Sequence, residues 1–329
     1  MIQGWIKEEI VVTVQSLPAR RKAPGGIRGV IRELSANKHL YLMMLPTVIW
    51  FVVFCYFPLY GITLAFKEYD FAKGIGGSPF VGLKNFEFLF SYDGIGRVFF
   101  NTIYLNVLFI VITTVISVLL AIMFSEIKSK GFKRVTQSIA ILPHFVSWAV
   151  VSLVLQAFVG TTGLINQALR TMGMTRISFY NEPEMWPWIF VILRVWQGCG
   201  FGTVTYIAAI TGFDTSMYEA ARVDGATRFQ QIRHITLPLL RPTIVILTIM
   251  SVGNIFRGDF GMIYAMVRDT AKLLPTTDVI DTFVYRALRQ MNNLGMSTAT
   301  SFFQSVVGCI MVLSVNALAR KLDPDTALF

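Results

Sequence analysis

The chain has 329 residues, of which 54% are hydrophobic and only 15% charged, and its mean hydropathy is +0.59; an ordinary soluble domain carries ~25% charged residues. That balance excludes a collagenous, disordered or disulfide-built chain and points away from a large soluble enzyme. The formal net charge of +10 would suit a nucleic-acid partner, but in so apolar a chain its sign is first a question of membrane topology.

Residues 1–38 read as an N-terminal tail. Ile6, Ile10, Val11 and Val14 stand at helical spacing opposite Lys7, Glu8 and Gln15, which predicts a short helix lying on the membrane face or on a partner. Pro18, Arg20, Arg21, Lys22, Pro24, Gly25 and Gly26 then form a basic linker. No early apolar run fit for a cleavable signal precedes Leu40, so the tail is expected to be retained.

A helix rising 1.5 Å per residue needs ~20 apolar residues to cross a hydrocarbon core ~30 Å thick. Six segments qualify, near Leu40 to Phe66, Asn101 to Phe124, Val135 to Val159, Trp188 to Ile210, Thr243 to Val267 and Thr298 to Ala319. The predicted fold is therefore all-α, a polytopic six-helix membrane domain over residues 39–320 with a short C-terminal tail over 321–329. The fifth span is interrupted by Gly253, Asn254, Arg257, Gly258 and Asp259. Irregular backbone at membrane depth is tolerated only against protein or a water-lined cavity.

Charge distribution orients these spans. Residues 1–38, 125–134, 211–242 and 320–329 together hold seventeen Lys and Arg against nine acids, a net +8. The alternate segments 67–100, 160–187 and 268–297 hold ten against nine. The positive-inside rule then places both termini in the cytoplasm, and no nucleic acid is needed to explain the charge. Cys55, Cys199 and Cys309 lie in apolar runs without C-x-x-C spacing, and His39, His144 and His234 are far apart, so neither a disulfide nor a metal site is expected. His144 beside Pro143 reads as part of a helix kink.

The loop over 212–242 carries the most specific pattern. Asp214, Thr215 or Ser216 can cap a helix that Gly225 ends, and Thr227 can start a second one that Pro238 should end. Glu219-Ala220-Ala221, then Asp224-Gly225-Ala226, then Ile235, Leu237-Pro238 and Pro242 make the series E-A-A, D-G-A, I-x-L-P-x-x-x-P. This series resembles the EAA loop in the membrane subunits of bacterial ATP-binding-cassette importers. Val81-Gly82-Leu83-Lys84-Asn85-Phe86 and Asn101-Thr102 resemble signatures of the sugar-type permeases. Ile141 to Trp148 (ILPHFVSW) and Asp278 to Arg286 (DVIDTFVYR) are similar to a branch handling complex sugars, in particular alginate oligosaccharides.

The resemblance implies a type I importer permease fold and a non-catalytic role. Glu219, Ala220, Ala221, Asp224, Gly225 and Ala226 would couple to a partner ATPase, small alanines letting the helix seat closely in a groove. A second permease subunit, two ATPase copies, a periplasmic binding protein and an oligosaccharide, acidic in character, complete the implied assembly. The glycine-rich outer segment with Gly74, Gly76, Gly77 and Pro79 suits a binding-protein contact. No G-x-x-x-x-G-K-[ST] series occurs, so no cofactor is expected on this chain, and ATP with its magnesium belongs to the ATPase.

Substrate residues are sought among polar groups at membrane depth, where an ionisable side chain is expensive and by default functional. Arg194, Trp196, Gln197, Asn254, Arg257 and Asp259 are the candidates: arginine matches a carboxylate, tryptophan stacks on sugar rings, and the amides bind hydroxyls. Arg257 and Asp259 could instead neutralise each other or pair with another subunit, and Arg194 could snorkel to the interface. Trp186 and Trp188 fall where interfacial aromatic belts occur. Gly198 and Gly202 form a G-x-x-x-G that allows close helix packing. An ion-gradient carrier is the alternative, but it ordinarily buries several carboxylates, and only Asp259 is available. A membrane-embedded enzyme would need paired acids or a nucleophile with a base, and the spans show neither.

Overall fold

A computed structural model describes residues 33, 35–91, 94–291 and 293–322; the predicted tail helix, the basic linker and most of the C-terminal tail lie outside them. Among the described residues the chain is helical, and its one β feature is an antiparallel bridge between Lys67 and Phe80. It divides into two units, Met1–Tyr60 and Gly61–Phe329.

The first unit contains α1 (Lys38–Phe51), which runs into a π-helical turn at Val52–Tyr56. A 3₁₀ stretch, Phe57–Phe66, completes the span Lys38–Phe66. The second unit follows with α2 (Gly74–Gly77), α3 (Lys84–Ser91), α4 (Ile95–Glu126), α5 (Lys130–Ile141), α6 (Trp148–Val159), α7 (Leu164–Thr171) and α8 (Trp186–Thr211). It continues through α9 (Thr215–Val223), α10 (Arg228–Gln231), α11 (Leu237–Val252), α12 (Phe260–Val267), α13 (Leu274–Thr277), α14 (Ile280–Met291) and α15 (Leu294–Leu322).

Five helical stretches among the described residues are long and apolar enough to cross a membrane: Lys38–Phe66, Ile95–Glu126, Trp148–Thr171, Arg228–Val252 and Leu294–Lys321. The sixth expected span is α8, whose 26 residues suffice in length but whose apolar character is diluted by Arg194, Gln197 and its glycines. Its position explains how it tolerates them. Trp186, Phe190, Val191, Gln197, Gly200, Thr203 and Tyr206 are all buried, so protein rather than lipid surrounds much of this helix.

Two predicted span boundaries are corrected. The third span is not one helix from Val135 to Val159: α5 gives way to a 3₁₀ turn at Leu142–Phe145, and α6 starts afresh at Trp148, capped by the Ser147 hydroxyl. Pro143 has no N–H for a helical ladder, and Gln197 Nε2 satisfies the exposed carbonyl of Val146 at 2.9 Å. The fifth span begins near Arg228 rather than Thr243, because Pro238 does not end the second loop helix. A π-helical turn at Ile232–Thr236 directly precedes it, with the Leu237 N–H donating to Ile232 O. Pro58 likewise follows a π turn. In both places the wider turn absorbs the irregularity around a residue that cannot donate.

The core lies where α4 and α8 run along each other, with Leu105, Phe109, Trp186, Phe190, Met262 and Ile263 in one buried cluster. Trp186 is fully buried and donates from Nε1 to Phe179 O at 2.9 Å, so it is a core residue and not part of an interfacial belt. Trp188, 54% exposed, keeps the surface position expected of it. Close approach of α8 depends on glycine in an unforeseen way. Gly198 has room for a methyl group beside Thr113, while a Cβ on Gly200 would overlap the Ala140 carbonyl and one on Gly202 would come 2.7 Å from Ser117 Oγ.

The recognised motifs turn out to be backbone fasteners. Asn85 Nδ2 reaches the carbonyls of Leu64, Ala65 and Lys67 at 2.9–3.3 Å, closing the end of the 3₁₀ stretch. Asn101 Nδ2 donates to Pro275 O and Asp278 O, both at 3.1 Å, and Thr102 Oγ1 accepts the Ile280 N–H at 2.9 Å.

Candidate functional site

Between α11 and α12 the helix stops, as the glycines and polar residues of the fifth span predict. Residues 253–259 leave backbone groups that water in a bilayer core would not satisfy. Side chains from three other helices do so. Asn106 of α4 donates to Ile255 O at 3.1 Å and to Arg257 O at 3.0 Å. Gln304 of α15 donates to Phe256 O at 2.7 Å. The Gly258 N–H donates to Asp281 Oδ2, which also accepts from Gln304 Nε2 at 3.1 Å. Asp281 lies at the start of α14, outside the membrane-crossing segments, and its burial pushes the carboxyl above the usual range against the opposing pull of the Gly258 hydrogen bond.

The break opens onto a cavity of about 360 Å³ lined by Asn106, Thr113, Arg194, Asn254, Arg257 and Asp259 among others. Arg194 Nη1 lies 2.7 Å from Asp259 Oδ2, and Asp259 Oδ1 accepts the Met262 N–H at 3.0 Å, capping α12. The partner of Asp259 is thus Arg194 and not Arg257, and Arg194 does not snorkel. Among the described residues Arg257 Nη2 meets the hydroxyl of Ser305 alone, at 3.3 Å. A second cavity of about 440 Å³ shares Thr113, Thr114, Ser251 and Asn254 with the first and continues past Ser117, Thr205 and Tyr206.

Four of the six expected substrate residues, Arg194, Asn254, Arg257 and Asp259, therefore line one space. Gln197 and Trp196 do not. The Gln197 amide is buried against Val146 O, and Trp196 is 46% exposed away from the cavity lining. Sequence reasoning missed Asn106, Asp281 and Gln304; Asn106 and Gln304 were detectable as amides inside largely apolar spans. His144 stacks on Phe201 with ring centroids 4.3 Å apart. Among the described residues no cluster of His, Cys, Asp and Glu is arranged to hold a metal ion.

The second feature is the elbow over 212–242. Asp214 Oδ1 accepts the Ser216 N–H at 2.9 Å and caps α9, and this bond holds the carboxyl below its ordinary value. At the other end Gly225 takes φ +78°, the Ala226 N–H donates to Ala221 O at 2.8 Å, and the Gly225 N–H donates to Arg222 O at 3.1 Å. This is the Schellman arrangement, which needs a residue at ease in the left-handed region. Thr227 and Gln230 form a reciprocal capping box that starts α10. Tyr218 and Thr236 hydroxyls, 3.0 Å apart, tie the two arms together. Glu219, Ala220, Asp224 and Gly225 are exposed, with Ala221 and Ala226 half-buried. Val223 and Phe229 stand 88% and 70% exposed beside them.

A bundle of apolar helices with a polar break at depth, a lined cavity and a rigid exposed elbow defines a membrane permease. Residues 113–327 match the family described as binding-protein-dependent transport system inner membrane component, and the chain belongs to that family. It is a multi-pass inner-membrane permease of an ATP-binding-cassette importer, and the gradient-driven alternative is set aside. The chain is 37% identical over 89% of its length, and 91% of the relative's, to the polygalacturonan/rhamnogalacturonan transport system permease protein YteP of Bacillus subtilis (strain 168). It is 32% identical to the protein LplB of the same organism over 95% of this chain and 99% of that one. A crystal structure of a bacterial ABC transporter involved in the import of the acidic polysaccharide alginate contains a chain of similar fold, with a TM-score of 0.80, 34% identity, and coverage of 89% of this chain and 99% of that one. A structure of the bacterial alginate ABC transporter in complex with an alginate pentasaccharide-bound periplasmic protein matches with a TM-score of 0.79 and 34% identity over 88% of this chain and 97% of that one.

Proposed function

We propose that this chain forms half of the translocation pathway of an importer for acidic oligosaccharides, the other half coming from a second permease subunit. The observation that carries this reading is the cavity at the break in the fifth span, where two guanidinium groups and a row of amides and hydroxyls meet at membrane depth. Such a wall suits a carboxylated sugar chain, which offers hydroxyls along its length and a carboxylate on each unit. Relatives whose names refer to polygalacturonan and alginate support the same substrate class.

In this reading a periplasmic binding protein delivers the sugar, and two ATPase copies, which hold ATP and magnesium, dock beneath. The Lys and Arg excess in 1–38, 125–134 and 211–242 supports cytoplasmic termini and a cytoplasmic elbow. Glu219, Ala220, Ala221, Asp224, Gly225 and Ala226 transmit closure of the ATPase to α8 and α11, between which the elbow is spliced. The exposed Val223 and Phe229 supply apolar area for that docking.

The test is ATP-driven uptake into liposomes holding this chain with its partner subunits and binding protein, offered uronic-acid and neutral oligosaccharides. Uptake of the acidic sugars is expected. Uptake of neutral sugars alone would keep the importer and remove the acidic substrate; ATP-independent uptake by this chain alone would overturn the importer.

A further inference from the structure

The two arginines of the cavity are not equivalent. Arg194 is closed by Asp259 at 2.7 Å, and the other oxygen of that carboxylate is committed to the Met262 N–H. Among the described residues the Arg257 side chain contacts the neutral hydroxyl of Ser305 and has no carboxylate within 4 Å. Asp281 feels its charge without contacting it, and Asp281 Oδ2 is already engaged by Gly258 and Gln304. Arg257 is also exposed, and its backbone is fastened on both sides, by Asn106 at its own carbonyl and by Asp281 at the next N–H.

The rest of the space is neutral. From Thr113, Thr114, Ser251 and Asn254 the lining passes to Ser117, Thr205 and Tyr206 with no further charge. The positive charge left after Arg194 and Asp259 cancel is therefore confined to one end of a neutral track, lined by hydroxyls and amides together with apolar side chains such as Phe201, Leu247 and Met250. A guanidinium presents parallel N–H donors to a carboxylate, and a single such contact followed by neutral partners favours entry without holding the ligand fast.

We infer that Arg257 receives the carboxylate of a uronic-acid unit and sets the charge preference of the pathway, whereas Arg194 is a positioning residue that fixes the break through Asp259. This rests on the reading of the chain as an oligosaccharide importer.

The assembled importer, reconstituted with its binding protein and ATP, is to be offered tetragalacturonate, with R257Q, R257K and R194Q compared with the unaltered chain. A lost charge-assisted contact predicts that R257Q lowers tetragalacturonate uptake about tenfold or more, while binding-protein-stimulated ATP hydrolysis persists. R257K, which keeps the charge but not the fork, is expected to fall between. R194Q should lower uptake and ATP hydrolysis together and reduce the thermal midpoint. Uptake by R257Q within about twofold of the unaltered chain overturns the inference and leaves the importer intact. So does loss of ATP hydrolysis in both Arg257 variants, which would make Arg257 structural. Absence of ATP-driven uptake by the unaltered assembly instead overturns the underlying reading.

Discussion

Replacing Asp259 with asparagine separates two tasks of one side chain. Asparagine can still accept the Met262 N–H and cap α12, but it cannot balance Arg194. The side chains of Arg194 and Asp259 are 41% and 23% exposed, so the pair is neither a surface bridge worth ~0.2–1 kcal/mol nor a sealed one whose breaking costs ~3–5 kcal/mol. An intermediate loss of about 1–2 kcal/mol follows for Asp259→Asn. Asp259→Ala, which also removes the cap, should lose about 1 kcal/mol more. Because the partners touch, Arg194→Gln combined with Asp259→Asn should cost less than the sum of the singles by about 1 kcal/mol. The assay is equilibrium unfolding of the purified chain in mixed micelles for both singles and the double. Additivity within ~0.3 kcal/mol would show that the two groups do not interact and would refute the assignment.

Three further outcomes are expected. Gly200→Ala should separate α8 from α5 and lower the yield of folded protein sharply, whereas Gly198→Ala, with its nearest neighbour 3.7 Å away, should be near neutral; detergent-resistant monodispersity on size-exclusion chromatography distinguishes them. Gly225→Ala forces a side chain into φ +78° at a cost of about 1–2 kcal/mol, and should weaken sugar-stimulated ATP hydrolysis in the reconstituted assembly more than it lowers membrane insertion. Asp281 binds its proton more tightly folded than unfolded, so stability should fall as pH rises from the ordinary carboxylate range through its raised folded value. Thermal midpoints of Asp281→Asn should lack that downward slope.

The elbow was the most legible part of the sequence, because each of its turns is made by local chemistry: Asp214 and Thr227 cap, Gly225 reverses, and no distant partner is needed. The interrupted fifth span was legible for a similar reason, glycine and charge being foreign to an apolar run. What the sequence did not reveal was pairing across long separations. Arg194 and Asp259 are 65 residues apart, and the nearness of Arg257 and Asp259 in sequence suggested a bond that gives way to the Arg194–Asp259 pair. Gln197 looked like a hydroxyl binder because nothing local shows that Val146 lacks a donor. Proline misled in the opposite direction. Pro238 is an ordinary stop signal, yet a π turn beforehand lets the helix run on to Val252.

The fastening of residues 253–259 bears on how access could alternate. Flexible joints expose their carbonyls to water, but here Asn106, Gln304 and Asp281 splint the irregular stretch to α4, α15 and α14. Bending at the break would strand several polar groups at once in a medium without replacements. Rearrangement is therefore directed away from this stretch, and α4, the break and the start of α15 should travel as one stiff body whose relative motion is borne at its edges.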